Sequence, residues 1–155
     1  MNTAYVAQPE DLQRLEWLNG GTLTLLLDRA TTGGGLTVGR FELSEGDASP
    51  YHVHTREDEV FVLLNGSALV WSGDDETELS EGGAVFLPRN LPHAYRITSP
   101  MADMLMICTP AGIEDFFRRA GRDRAAPHPE GFEVAPERLA EASALSGSTI
   151  VGPPR

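Results

Sequence analysis

The sequence contains no lysine and only one cysteine, and each shortage excludes a class of chemistry. All 12 basic residues are arginine, so no lysine can form a Schiff base or act as a general base. Cys108 is the single cysteine, so no intrachain disulfide can form, which fits a reducing compartment. We therefore expect neither amine catalysis nor disulfide stabilisation.

Long apolar runs and an excess of positive charge are also missing. Apolar stretches such as 60–64 are too short to span a bilayer, and residues 1–8 lack the basic start and apolar run of a signal peptide. The formal net charge of -11 repels nucleic acid and anionic membranes. We therefore expect a cytoplasmic protein with no nucleic-acid or membrane partner, folded as one domain over its 155 residues.

Short apolar or alternating runs, separated by Gly, Asp, Asn, Ser and Pro, fill the chain between about residues 20 and 110. Many short strands of this kind are typical of a β-sandwich or closed barrel. The predicted strands lie near 22–29, 35–44, 58–64, 67–72, 76–79, 84–87, 93–98 and 102–109. Asn65-Gly66 favours a tight hairpin because both residues tolerate positive φ, and Ser72 to Asp75 predicts another turn. Residues 9–18 instead favour one or two helical turns.

The pattern changes after Pro110 to helical spacing of apolar residues. Ile113, Phe116, Phe117 and Ala120 predict a helix over 113–122. Pro136 and Gly147 are the start and stop signals of a second helix over 136–146. We therefore expect a barrel core over about 20–110, a helical C-terminal extension over 111–150 and a frayed tail from residue 152, all within a single domain, 1–155.

Three of the four histidines have the spacing of a metal site. His52 and His54 share one face of a strand. Glu59 follows at an odd offset, so it shares that face only if the chain turns over 55–58. His93 lies beyond a proline-ordered turn, and a closed barrel would bring its strand beside the first. Three imidazoles and one carboxylate suit Fe, Ni, Mn, Co, Cu or Zn without selecting one. The pattern predicts one divalent transition metal at His52, His54, Glu59 and His93.

Further residues have positions that suit a substrate pocket. Phe61 and Leu63 share a strand face with Glu59, and Tyr95 has the parity of His93. We expect Phe61, Leu63 and Tyr95 to line the pocket, with Tyr95 either donating a hydrogen bond there or serving as a core aromatic residue.

Several other side chains have two interpretations. Phe116 and Phe117 would form a lid over the barrel or pack the helix against it. Three arginines, Arg56, Arg89 and Arg96, would hold an anionic substrate or be solvated. His128, in a proline-rich loop, is interpreted as solvated, and Cys108 as a small buried hydrophobic residue.

Two spaced motifs resemble those of the cupin superfamily. Gly46, His52, His54, Glu59 and Gly66 match every position of the first cupin motif. In the second, Gly82, Pro88 and His93 match, whereas Asn90 replaces a glycine and Ile97 replaces an asparagine. Asn90 still tolerates a left-handed turn. The resemblance implies an all-β cupin fold, a double-stranded β-helix or jelly-roll barrel with short C-terminal helices, a metal inside the barrel and a homodimer.

A narrower resemblance covers residues 52–61 and 109–117, which are similar to bacterial quercetinase-like monocupins. It implies a dioxygenase that acts on a flavonol or a similar enolic or aromatic small molecule, with dioxygen as co-substrate. Glu59 would be both metal ligand and general base, with its pKa raised by partial dissociation from the metal and by an apolar wall of Phe61 and Leu63.

Two other functions fit the same motifs, because one fold hosts many reactions. The first is a non-oxidative cupin metalloenzyme, a polyketide cyclase or an isomerase, in which the metal acts as a Lewis acid and Glu59 or Tyr95 moves protons. The second is a small-molecule binding or sensing module with a structural metal.

Overall fold

Strands account for most of the regular structure in the computed structural model of the chain, which describes residues 3–155. The strands are β1 (Gln13–Glu16), β2 (Thr22–Leu27), β3 (Thr37–Ser44), β4 (Tyr51–His54), β5 (Asp58–Asn65), β6 (Ser67–Ser72), β7 (Asp75–Ser80), β8 (Ala84–Leu87), β9 (His93–Ile97), β10 (Met101–Thr109), β11 (Arg122–Asp123) and β12 (Ser148–Gly152). The α-helices are α1 (Arg29–Thr32), α2 (Glu114–Ala120) and α3 (Pro136–Ala144), with short 3-10 turns at Pro9–Asp11 and Leu18–Gly20.

The strands form two antiparallel sheets. One has seven strands in the order β11-β1-β2-β3-β10-β5-β8, and the other has five in the order β12-β4-β9-β6-β7. Alternate residues of β3 and β10 are buried, so each strand turns one apolar face inward. A single hydrophobic cluster contains residues of both sheets, among them Phe41, Met104 and Ile97. The predicted all-β jelly-roll class is confirmed.

The two ends of the chain supply strands that the pattern did not predict. One or two helical turns were expected over residues 9–18. A 3-10 turn lies at Pro9–Asp11, but β1 follows it and pairs with β2, with Leu15 opposite Leu23. Leu15 is only 1% exposed, so tertiary burial overrides the local helical tendency. At the other end, β12 pairs with β4, although the spacing predicted only a helix and a stop in that region.

The predicted Asn65-Gly66 hairpin is wrong. β5 belongs to the seven-stranded sheet and β6 to the five-stranded sheet, so the chain crosses between sheets there. Gly66 has a φ of +93°, and a Cβ on it would lie 2.5 Å from the carbonyl oxygen of Met101. The crossing therefore requires glycine. The predicted turn over Ser72 to Asp75 is confirmed, because those residues close the β6–β7 hairpin.

Both predicted C-terminal helices are present and pack on each other. Phe117 of α2 and Leu139 of α3 belong to the main hydrophobic cluster. The division into a barrel core of 20–110 and an extension of 111–150 stays a prediction, as do the single domain and the homodimer. Within residues 3–155, none of the helices has both the length and the apolar character needed to cross a bilayer.

Phe41 gives a direct test of this packing. Its side chain is 2% exposed, and its ring centroid lies 5.7 Å from that of Phe117 and 6.4 Å from that of Trp17. We expect Phe41→Ala to lower the free energy of unfolding by about 3–5 kcal/mol, because the core cannot refill the cavity. Urea denaturation would measure the change.

The neighbouring Arg40 provides the control. Its side chain lies on the exposed face and pairs with Asp103, so Arg40→Ala should cost no more than about 1 kcal/mol. Equal urea midpoints for the two variants would contradict the inward orientation of Phe41.

Candidate metal centre

Four side chains from three strands converge inside the barrel. His52 and His54 come from β4, Glu59 from β5 and His93 from β9. One ligand atom from each lies within 4.8 Å of all the others. Nε2 of His52 is 3.1 Å from Nε2 of His54, and Nε2 of His93 is 3.0 Å from Oε2 of Glu59. Such a group could hold one metal ion.

Local chain geometry explains the convergence. β4 ends at His54, and the chain bends before β5 begins at Asp58 in the other sheet. This bend removes the parity conflict between His54 and Glu59, as expected. His52 and His93 are directly opposed in the β4–β9 pair. The turn before β9 contains Asn90 in the left-handed region, with φ of 67°, which agrees with its position in the second motif.

Two of the three imidazoles are oriented by backbone carbonyls. Nδ1 of His52 lies 2.7 Å from the carbonyl oxygen of Pro50, and Nδ1 of His93 lies 2.9 Å from that of Leu91. Because a carbonyl oxygen only accepts hydrogen bonds, each Nδ1 carries a proton and donates it. A neutral ring in this tautomer directs the lone pair of Nε2 at the cluster, which is the form that binds a metal.

The charges within the cluster are strongly coupled. Burial, assisted by the charges of His93 and His54, lowers the pKa of His52 to about 3. Burial also opposes a charge on His54, but its hydrogen bond with Glu59 and the charge of that carboxylate raise the pKa of His54.

The pKa of Glu59 departs from the expected direction. Burial raises it, yet the hydrogen bonds from His54 and His93 outweigh burial and hold the pKa below its usual value. An apolar wall was expected to raise the pKa of Glu59. In the cluster without a metal ion this expectation is wrong, because two imidazoles point at the carboxylate.

The donor set fits a divalent transition metal. It combines three imidazole nitrogens with one carboxylate oxygen, and His54, Glu59 and His93 are each at most 4% exposed. A buried carboxylate among imidazoles is stabilised by a cation at their centre. Mixed nitrogen and oxygen ligation does not distinguish among Fe, Ni, Mn, Co, Cu and Zn.

His52, His54 and Glu59 of the cluster line an apolar cavity that opens to solvent. Phe61 and Tyr95, both predicted pocket residues, line it. Leu63 does not, because it lies farther along β5, fully buried in the core. The aromatic walls are Trp17, Phe41, Phe61, Tyr95, Phe116 and Phe117. Leu63 was expected to line the pocket, but its position along the strand places it in the core instead.

Part of the cavity lining comes from C-terminal segments that the sequence analysis did not connect with the site. Leu139 and Ser143 of α3 and Ser148 and Ile150 of β12 all face the cavity. Phe116 and Phe117 line it and also pack edge-on against Trp17, so they combine the two roles considered for them. Only the pairing of β12 with β4 brings the C-terminal segment there.

The arginines considered for an anionic substrate lie elsewhere. Arg89 is paired with Asp58 at 2.8 Å, while Arg56 and Arg96 are exposed. None of these three lines the cavity. His128 is exposed, as expected. The interpretation as solvated side chains is therefore favoured for all four residues.

Cys108 lies closer to the centre than the sequence suggested. It is fully buried, as expected, but its thiol also donates to Oε1 of Glu59 at 3.5 Å. Cys108 is directly opposite Glu59 in the β10–β5 pair, a register that the sequence pattern does not reveal. Burial raises the pKa of the thiol, as does the charge of Glu59, so it remains a hydrogen-bond donor.

Comparisons with known proteins agree with this geometry. Residues 39–110 match the family model described as the cupin domain. The chain is 30% identical over 118 residues to a quercetin 2,3-dioxygenase of Bacillus subtilis, and 33% identical over 75 residues to one of Aspergillus japonicus. These alignments cover 76% and 45% of this chain.

The aligned parts span only 34% and 21% of the lengths of those two dioxygenases. Among solved structures, KdgF from a Halomonas species superposes with a TM-score of 0.60 at 15% identity. That superposition covers 71% of this chain and 94% of the other. At this identity the likeness concerns the fold alone.

Removing one ligand should abolish stable metal binding. We expect the purified protein to hold about one transition-metal ion per chain and His93→Ala to hold well below one, because three donors remain. Elemental analysis after extensive dialysis would measure the ratio. His128→Ala is the matched control, since it removes an exposed histidine, and its metal content should equal that of the wild type. Equal metal content in all three proteins would contradict the site.

Proposed function

Because residues 39–110 belong to the cupin domain family, we propose that this chain is a metal-dependent dioxygenase of the quercetinase type. The substrate would be a flavonol or a similar enolic aromatic molecule, with dioxygen as the second substrate. The observation that carries the proposal is the cavity, where His52, His54 and Glu59 of the four-residue cluster face aromatic walls. The similarity to two quercetin dioxygenases supports it.

The lining of the cavity favours a flat, largely apolar substrate. Aromatic rings surround the space, and such rings stack or pack edge-on with an aromatic ligand. Beyond the cluster and Tyr95, the hydroxyl-bearing residues of the lining are Ser49, Ser143 and Ser148, while arginine is absent from the lining within residues 3–155. A multiply charged anion would lose its hydration there without gaining an ion pair.

Glu59 is the proposed general base. A metal ion held by the cluster would supply a Lewis acid for an enolic oxygen and, if redox-active, a route for electrons to dioxygen. A carboxylate bound to a divalent metal ion is a weak base, so Glu59 would accept the proton of a substrate hydroxyl group on partly leaving the metal. The Cys108 thiol donates to its Oε1 atom.

Tyr95 is the proposed hydrogen-bond donor of the cavity. Burial raises the pKa of its phenol well above the ordinary value, with the charges of Asp47 and Glu59 adding to the effect. The group therefore stays protonated and donates rather than accepts a proton. Its ring packs edge-on against Phe61, with centroids 5.5 Å apart, which holds the ring in the wall of the cavity.

Oxygen uptake tests the reaction type. We expect the protein loaded with Fe, Ni, Mn, Co or Cu to consume dioxygen with a flavonol and not with oxalate, because the cavity is apolar. Glu59→Gln should lower kcat by about 10²–10⁴-fold, the usual contribution of a general base. Metal content must be measured in parallel, since Glu59 is also a proposed ligand.

The control for this experiment is Glu45→Gln, which removes an exposed carboxylate and should leave turnover unchanged. Oxygen-independent turnover of a polyketide-like substrate by the zinc form would contradict the dioxygenase and support the cyclase. Full activity of Glu59→Gln would rule out its role as base.

Tyr95→Phe separates a substrate-contacting hydroxyl group from a core aromatic residue. It keeps the ring and its packing, so we expect unchanged metal content and a fall in kcat/KM of about 10-fold, the value of one lost hydrogen bond. Steady-state kinetics at saturating oxygen would measure this. Tyr5→Phe, at an exposed position, is the control. An unaltered kcat/KM for Tyr95→Phe would assign Tyr95 to packing alone.

A further inference from the structure

The three histidines of the cluster differ in the hydrogen-bond acceptor of Nδ1, the ring nitrogen that faces away from the cluster. For His52 and His93, the acceptor is the carbonyl two residues earlier, at Pro50 and Leu91. Both carbonyls precede the first residue of a strand, β4 or β9, so they can bend back towards the ring. Nδ1 of His54 is buried with no hydrogen-bond partner among residues 3–155.

His54 cannot form the same hydrogen bond to the carbonyl two residues earlier. It is the last residue of β4, and the residue two positions earlier is His52, inside the same strand. Carbonyl groups within a strand point sideways to neighbouring strands. The acceptor for His54 must therefore come from elsewhere, and the residues that follow it form the bend between β4 and β5.

Glu57 lies in that bend and is itself unusual. It is 1% exposed, and neither carboxylate oxygen has a hydrogen-bond partner. Within residues 3–155, the buried side-chain nitrogen and oxygen atoms without a partner belong only to His54 and Glu57. Glu57 follows His54 by only three residues, which keeps the two side chains in the same bend. Burial raises the pKa of Glu57, and the charges of His54 and Arg56 act in the opposite direction.

The backbone closes over Glu57 on another side. A Cβ on Gly112 would lie 3.2 Å from Oε1 of Glu57, 3.0 Å from a guanidinium nitrogen of Arg29 and 3.6 Å from one of Arg56, and Gly112 has a φ of +149°. The glycine thus leaves just enough room for the carboxylate. Neither carboxylate oxygen of Glu57 has a hydrogen-bond partner despite these nearby cations, and a buried carboxylate in that state costs stability.

We propose that Glu57 is the positioning residue of His54, accepting the Nδ1 proton of that imidazole through one bridging water and so aiming Nε2 at the metal. This inference rests on the proposed metal-dependent function. A carboxylate behind a metal-binding histidine fixes the tautomer and makes the ring a stronger ligand. Water bridges polar groups that stand beyond direct hydrogen-bond reach. All three imidazoles would then have an outer acceptor, two from the backbone and one from Glu57.

The test compares cobalt(II) affinity with the stability of the metal-free protein. We expect Glu57→Leu to weaken cobalt(II) binding by about 10- to 100-fold, the usual effect of losing such a partner. Competition with a chromophoric chelator would measure it. The melting temperature of metal-free Glu57→Leu should be equal to or above that of the metal-free wild type, because an unpartnered buried carboxylate has been removed. Glu57→Gln keeps an acceptor oxygen, so its affinity should stay close to that of the wild type.

The outcomes separate this inference from the proposed function. Unchanged cobalt(II) affinity in Glu57→Leu would overturn the positioning role and leave the metal site intact. A lower melting temperature of metal-free Glu57→Leu with unchanged affinity would likewise assign Glu57 to the fold alone. A wild-type chain that binds no cobalt(II) would overturn the metal-dependent function together with this inference. The exposed Glu45→Gln variant should match the wild type in both measurements.

Discussion

The burial of one carboxylate among three imidazoles is the constraint on which this site depends. Glu59 is 3% exposed, and the Nε2 atoms of His54 and His93 face its Oε2 atom. Such a cluster is unfavourable in an apolar interior unless every charge is compensated. The two sheets position these four groups, and a divalent cation at their centre is the simplest compensation.

The apolar cavity beside the cluster follows from the same architecture. Strand alternation turns Phe41, Phe61 and Tyr95 inward, and α2 and α3 add the remaining wall over the open end. Apolar side chains thus border the cluster on this side, which strengthens its electrostatic interactions. A polar, metal-binding end and an aromatic wall within one cavity suit a molecule that is aromatic but carries an ionisable hydroxyl group.

Sequence periodicity predicted those features that depend on neighbouring residues. The period-two alternation located most of the strands, and the helical spacing from Ile113 to Ala120 located α2. The spacing of the histidines and Glu59 identified the four clustered groups. His52 and His54 share a strand face, and the residues after His54 are polar and favour a turn. The hairpin predicted at Asn65-Gly66 was wrong because a turn-favouring pair indicates the local backbone conformation. It does not indicate which sheet the next strand joins.

What only the tertiary structure decided are the contacts between distant segments. β1 and β12 are strands because sheet partners exist for them, which local propensity does not reveal. The register of β10 against β5 places Cys108 opposite Glu59, and Leu63 lies too deep along its strand to reach the cavity. The orphaned atoms of Glu57 and His54 are visible only once burial is known. The sequence by itself determined which residues can bind a metal. The tertiary structure decided which groups surround them, because burial and strand register arise from packing between distant segments.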